Sequence, residues 1–94
     1  MLGGAGNARE PSKREKIIIQ REKSNIESVA ETTFTQFEPV LIKIQVVAGQ
    51  NFLVKILVDN DEYIHVKLFI PLGYPETPAT VNHVLRGKTL DDKL

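Results

Sequence analysis

His65 and His83 are the side chains best suited to move a proton near neutral pH, and neither has the company that chemistry needs. The chain has no cysteine, and no His-Glu-x-x-His spacing occurs, so thiol catalysis and the usual zinc ligand sets are not encoded. No serine or threonine has a recognisable paired base, and no two carboxylates sit in a catalytic context. Asp59-Asn60-Asp61-Glu62 resembles the start of a calcium loop but lacks the glycine and the distant bidentate glutamate that such a loop requires. Glycine patterns that cradle phosphates are also missing. The sequence therefore predicts no enzyme, no metal and no cofactor, and leaves recognition as the function to be explained.

Charge narrows the partners. Twelve Lys and Arg offset twelve Asp and Glu, so no field of one sign would draw in nucleic acid or an anionic membrane. Lys13-Arg14-Glu15-Lys16 and Arg21-Glu22-Lys23 mix both signs, as on a solvated helix face. The first ten residues have no apolar run of the kind a signal peptide uses, and no stretch approaches a membrane span. The expectation is a soluble, cytoplasmic protein, with the terminal Asp91-Asp92-Lys93-Leu94 carrying no retrieval function.

The elements that would position a recognition surface can be read in chain order. Residues 1–10 hold Gly3, Gly4 and Gly6 without periodicity, which predicts a flexible arm. Ser12 and Glu15 form a capping box, so a helix is expected from there to about Glu31. Its apolar stripe would be Ile18, Ile19, Ile26, Val29 and Ala30, interrupted by Glu22 and Lys23. A long strand is expected from about Thr33, with Val40, Ile42, Ile44 and Val46 alternating and a kink at Pro39. Phe52, Val54, Ile56 and Val58 alternate in a second strand beyond the connection 47–51, and residues 63–70 make a third after the turn 59–62. Pro71, Pro75 and Pro78 interrupt pairing before a fourth strand at 79–85. One helix followed by four antiparallel strands is an α+β domain, with 1–94 as a single unit.

Gln45-Val46-Val47-Ala48-Gly49 matches at every position the QVVAG signature of the cystatin superfamily. It is preceded by a glycine arm, one helix and a long strand, and Gln50-Asn51-Phe52-Leu53-Val54-Lys55-Ile56 and Tyr63-Ile64-His65-Val66-Lys67-Leu68-Phe69 resemble the strands that follow it in stefins. Lack of a signal peptide and of cysteines points to the stefin branch rather than the secreted, disulfide-bonded one. The chain thus resembles a stefin over nearly its whole length.

That resemblance implies the cystatin fold, a helix packed against a wrapped four- to five-stranded antiparallel sheet. It also implies tight, reversible inhibition of papain-like cysteine proteases such as cathepsins L, S, H and B. Three elements would enter the protease cleft. Gly3 with Gly4 corresponds to the N-terminal glycine, and Leu2 would offer its side chain to an apolar non-primed pocket. Gln45, Val46, Val47, Ala48 and Gly49 would form the middle of the wedge, where a charged residue at Gly49 should harm binding more than folding. Leu72, Gly73 and Tyr74 would form the second loop, although stefins commonly show a Leu-Pro pair there and end on an aromatic stretch that this chain lacks. The altered second loop keeps a different class of function open, a cystatin-fold interaction module or engineered binding scaffold that inhibits nothing. The sharp connection at 47–51 further predicts a monomer able to exchange into a domain-swapped dimer.

Overall fold

In the computed structural model, which describes residues 6–94, the capping box is formed. Ser12 Oγ accepts the Glu15 amide at 3.2 Å, and Glu15 Oε1 accepts the Ser12 amide at 2.8 Å. Helix α1 (Lys13–Arg21) starts there and α2 (Lys23–Ala30) continues it. The single helix expected from the sequence is thus divided at Glu22, whose φ and ψ are −91° and 5°. Its path is nevertheless continuous, because the Glu22 amide donates to the carbonyls of Ile18 and Ile19 and its own carbonyl accepts from Ile26. The expected stripe also needs correction. Glu15, Ile18, Ile19, Glu22 and Ile26 are buried at helical spacing, so Glu22 belongs to the stripe instead of breaking it, while Val29, a member of the expected stripe, is exposed. Glu31 ends the run in the left-handed region at φ 58°.

Four strands, β1 (Phe37–Val47), β2 (Gly49–Val58), β3 (Tyr63–Ile70) and β4 (Thr80–Lys88), pair antiparallel in chain order. β1 starts later than the β-branched run at Thr33 suggested, because the Asp59 carboxylate accepts the amides of Thr35 and Gln36 and removes them from ladder pairing. Pro39 lies on the edge strand β1, and the register slips between it and Leu41, the kink that a missing amide hydrogen predicts. The turn after β2 uses Asn60 and Asp61 at φ 62° and 57°, as residues of this type allow. β4 runs on to Lys88, helped by the Glu62 carboxylate, which takes the Gly87 amide and the Arg86 guanidinium.

The helices cover one face of the sheet, α1 near β1 and α2 near β4, so the helical run crosses the strands. Between the layers lie Phe52, Val54, Ile56 and Val58 from β2 and Ile64, Val66, Leu68 and Ile70 from β3. Ile18, Ile19, Ile26, Phe34, Phe37 and Ile42 complete this core. Burying a side chain of this kind contributes about 1.5–3 kcal/mol, which is how a chain without covalent staples holds together.

Part of the opposite face is covered too. Lys55, which alternates with Val54 and Ile56 and so points away from the helices, is only 1% exposed. The segment after β4 crosses over it, and Lys55 Nζ donates to the carbonyls of Leu90 and Asp92, the latter at 2.6 Å. His65 pairs across from Lys55 and is buried beside it, a cross-strand position and not a surface one. Burial, then the charges of Lys55 and Lys88, push its imidazole below the ordinary value.

The expected flexible arm is corrected in its second half. Gly6 donates to the Ile44 carbonyl at 3.1 Å, and Arg9 exchanges backbone hydrogen bonds with Ile42 at 3.0 and 2.8 Å. Unpaired edge groups of β1 explain why this stretch docks, and the Arg9–Ile42 pairing is an antiparallel bridge outside the four strands.

Candidate functional site

Antiparallel chain order places two connections at the same end of the sheet, the β1–β2 turn and the loop 71–79 between β3 and β4. The first is tighter than expected. Val47 pairs with Gly49, Val46 with Gln50 and Gln45 with Asn51, so the connection predicted at 47–51 shrinks to Ala48. Gln45 is tied across the hairpin, its Oε1 accepting from Asn51 Nδ2 at 3.1 Å. Gly49 has φ 116°, and a Cβ there would lie 2.5 Å from the Ile70 carbonyl and 3.1 Å from the Phe69 ring. Only glycine lets β2 start so close to the end of β3.

At this end several apolar side chains are exposed together. Val46 is 52% exposed, Val47 and Ala48 also face solvent, and Leu72 is 84% exposed. A cleft of about 350 Å³ between the two connections is lined by Val46, Val47, Gly49, Pro71, Leu72 and Tyr74. Exposed apolar groups gathered beside a cleft mark an interaction site.

The second loop divides its predicted residues between two roles. Leu72 and Gly73 face solvent, whereas Tyr74 turns back and packs against the core. Its hydroxyl donates to Glu22 Oε2 at 3.1 Å, and the Arg21 guanidinium lies 5.9 Å from its ring centroid. Gly73 is held close to Thr77, whose amide donates to the Gly73 carbonyl at 2.9 Å. Arg14, read from the sequence as part of a solvated face, lines the same cleft. No signal in the sequence marks it, since proximity to the loops depends on how the helix crosses the sheet.

Leu2, Gly3 and Gly4 lie outside the described residues. Residues 6–9 run alongside β1, and the pairing of Gly6 with Ile44 and Arg9 with Ile42 puts Gly6 nearer the β1–β2 turn than Arg9. Arg9 is fastened from the other side by a bidentate pair to Glu15, 2.8 Å at each oxygen. These bonds from Arg9, aided by the Ser12 amide, hold the Glu15 carboxyl down at about 2 against an ordinary 4.5.

A depressed folded-state value stabilises the native protein above pH 4.5 and stops doing so as pH falls towards 2. Arg9 is half exposed, which screens the pair, so the contribution at pH 7 is on the order of 2 kcal/mol. Glu15→Gln should cost about that much in urea unfolding at pH 7 and progressively less as pH falls below 4.5, the two proteins converging only at and below about pH 2. A constant difference across that range would show that Glu15 contributes by packing alone.

Among the described residues no group of three or more His, Asp or Glu side chains could hold a metal, and no helix is long and apolar enough to cross a membrane. Compared with known proteins, the chain is 35% identical over 95 residues to Cystatin-B of Sus scrofa, covering all of this chain and 97% of that one. It is 30% identical over 93 residues to Stefin-C of Bos taurus, covering 99% and 92%. It is also 30% identical over 94 residues to Leukocyte cysteine proteinase inhibitor 1 of Sus scrofa, covering 100% and 91%. No protein-family model matches.

Proposed function

The chain belongs to the stefin family of cystatins, and from that premise we propose that it blocks papain-like cysteine proteases reversibly, with three elements entering the active-site cleft. Inhibition of cysteine proteases, and not enzymatic activity, follows from family membership. The wedge itself is supported above all by one observation: Val46, Val47 and Leu72 are exposed together at one end of the sheet. Leu2, Gly3 and Gly4 form the first element and supply the apolar contact on the non-primed side. Gln45, Val46, Val47, Ala48 and Gly49 form the second, and Leu72 and Gly73 the third. Tyr74 supports that third element from behind.

Such an inhibitor stays intact because it presents a hairpin edge and offers no extended peptide to the catalytic thiolate. Affinity comes from buried apolar surface and from a backbone already fixed before binding. Cathepsins L, S, H and B are the targets within this reading, the monomer is the active form, and cytoplasmic residence fits a chain with no cysteine to oxidise.

The test is a steady-state titration against papain and those four cathepsins, repeated with papain whose thiol carries a small alkyl group and with a chain lacking residues 1–4. Inhibition should be stoichiometric and reversible, and binding should survive alkylation. Truncation should raise the dissociation rate about tenfold or more, since changes within one interface appear mainly in dissociation. A folded chain that inhibits none of these proteases would rule the wedge out and leave an interaction module of the same fold.

A further inference from the structure

The second loop has little of its own to hold it in place. Pro71, Pro75 and Pro78 supply no amide hydrogens, and the loop's internal backbone bonds run from Tyr74 to Pro71 at 3.1 Å and from Thr77 to Gly73 at 2.9 Å. Both bonds shape the loop without attaching it to the rest of the molecule. Ala79 packs on the core at the far end of the loop; nearer Leu72, attachment runs through Tyr74, whose ring packs on the core beneath Arg21 and whose hydroxyl reaches Glu22.

Glu22 is an unusual anchor. Its residue is 6% exposed and sits where α1 gives way to α2. A buried carboxylate needs hydrogen-bond donors to offset its lost hydration. Asn25 Nδ2 serves one oxygen at 2.8 Å and the Tyr74 hydroxyl serves the other at 3.1 Å. The phenol and the carboxylate therefore hold each other in place, and a bond to a charged group is stronger than one between neutral partners.

We propose that Tyr74 is a positioning residue: bonded to the buried Glu22, it fixes the loop so that Leu72, two residues earlier and almost fully exposed, is held ready for the protease. The inference rests on the inhibitor reading above and assigns Tyr74 a role different from contact. Leu72 touches the target and Tyr74 acts through it. Without the bond to Glu22 the loop would have to be ordered at the moment of binding, and that cost would appear in affinity.

A double-mutant cycle tests this, with dissociation from papain as the readout and urea unfolding as the check on folding. Tyr74→Phe keeps the ring and removes the hydroxyl, so it should speed dissociation about tenfold. In a Leu72→Ala background the same change should have less than about a twofold effect, because the side chain being positioned is gone. Glu22→Gln removes the charge and leaves one accepting oxygen where Asn25 and the phenol now use two, so it should speed dissociation in the same direction as Tyr74→Phe, by about threefold to tenfold, and an unchanged rate would count against the anchor. A merely structural role for Tyr74 would lower stability without producing this dependence on Leu72. A Tyr74→Phe effect that persists undiminished in the Leu72→Ala background overturns the proposal, as does no effect in the parent. If the parent chain itself fails to bind papain, the inhibitor reading fails first; if it binds and Tyr74→Phe is neutral, only the present inference fails.

Discussion

Gly49→Ala should destabilise the protein by about 2–4 kcal/mol and raise the inhibition constant for papain at least a hundredfold. Two penalties add. The backbone at φ 116° is one that L side chains rarely adopt, and a methyl group would stand 2.5 Å from the Ile70 carbonyl and 3.1 Å from the Phe69 ring. Relief requires the start of β2 to move away from the end of β3. Ile70 leads directly into Pro71 and Leu72, so the displacement would pass from the first hairpin into the second loop and misalign both.

This differs from what the signature alone suggests, namely that a charged residue at Gly49 harms binding more than folding. The structure puts a large part of the penalty on the fold. A cleaner separation is available one residue earlier, since Ala48 is exposed at the tip of the turn. Ala48→Glu should leave unfolding within about 0.5 kcal/mol of the parent yet weaken inhibition about as strongly as Gly49→Ala, because it buries an unpaired charge in the interface. Urea unfolding and papain titration on both variants decide the matter. A stable, fully inhibitory Gly49→Ala would show that the close approach to Ile70 is dispensable.

The sequence was most informative where a local rule has a local consequence. Ser12 and Glu15 cap the helix, Pro39 produces the register slip, Asn60 and Asp61 take positive φ, and the alternation from Phe52 to Val58 is the core face of β2. It was least informative where the partner is remote. Lys55 alternates with the core residues Val54 and Ile56, and alternation identifies a face without saying what covers it. What covers it is a segment without periodicity, 35 and 37 residues further on, which contributes backbone carbonyls that no side-chain pattern announces. Glu22 likewise reads as an interruption of an apolar stripe until Tyr74, 52 residues away, is placed against it. The exposed valines and Leu72 were legible as a site through their resemblance to a family. Their convergence at one end of the sheet is a property of the fold.

Mild heating at high concentration should convert part of the protein into a domain-swapped dimer with under about 1% of the monomer's inhibitory activity, a difference of at least about 2.7 kcal/mol in binding. The hinge is Ala48, flanked by the paired residues Val47 and Gly49. β-branched Val47 favours an extended backbone, and opening would free Gly49 from φ 116°. If the turn straightens, β1 and β2 become one long strand, and α1, α2 and β1 can pack on the β2–β4 portion of a second copy. Every core contact between Ile42 or the helices and β2 is then remade across the pair, so the exchange changes stability little. Its barrier is high, because the whole β1–β2 ladder from Phe37 opposite Val58 to Val47 opposite Gly49 must separate first, which is why heat is required. The docked stretch at Gly6 and Arg9 would travel with β1, so the swap removes the turn itself while leaving the surrounding structure intact. Size-exclusion chromatography with papain titration of each peak reads the outcome. A dimer as inhibitory as the monomer would mean that the turn at Ala48 either survives dimerisation or does not form the middle of the wedge.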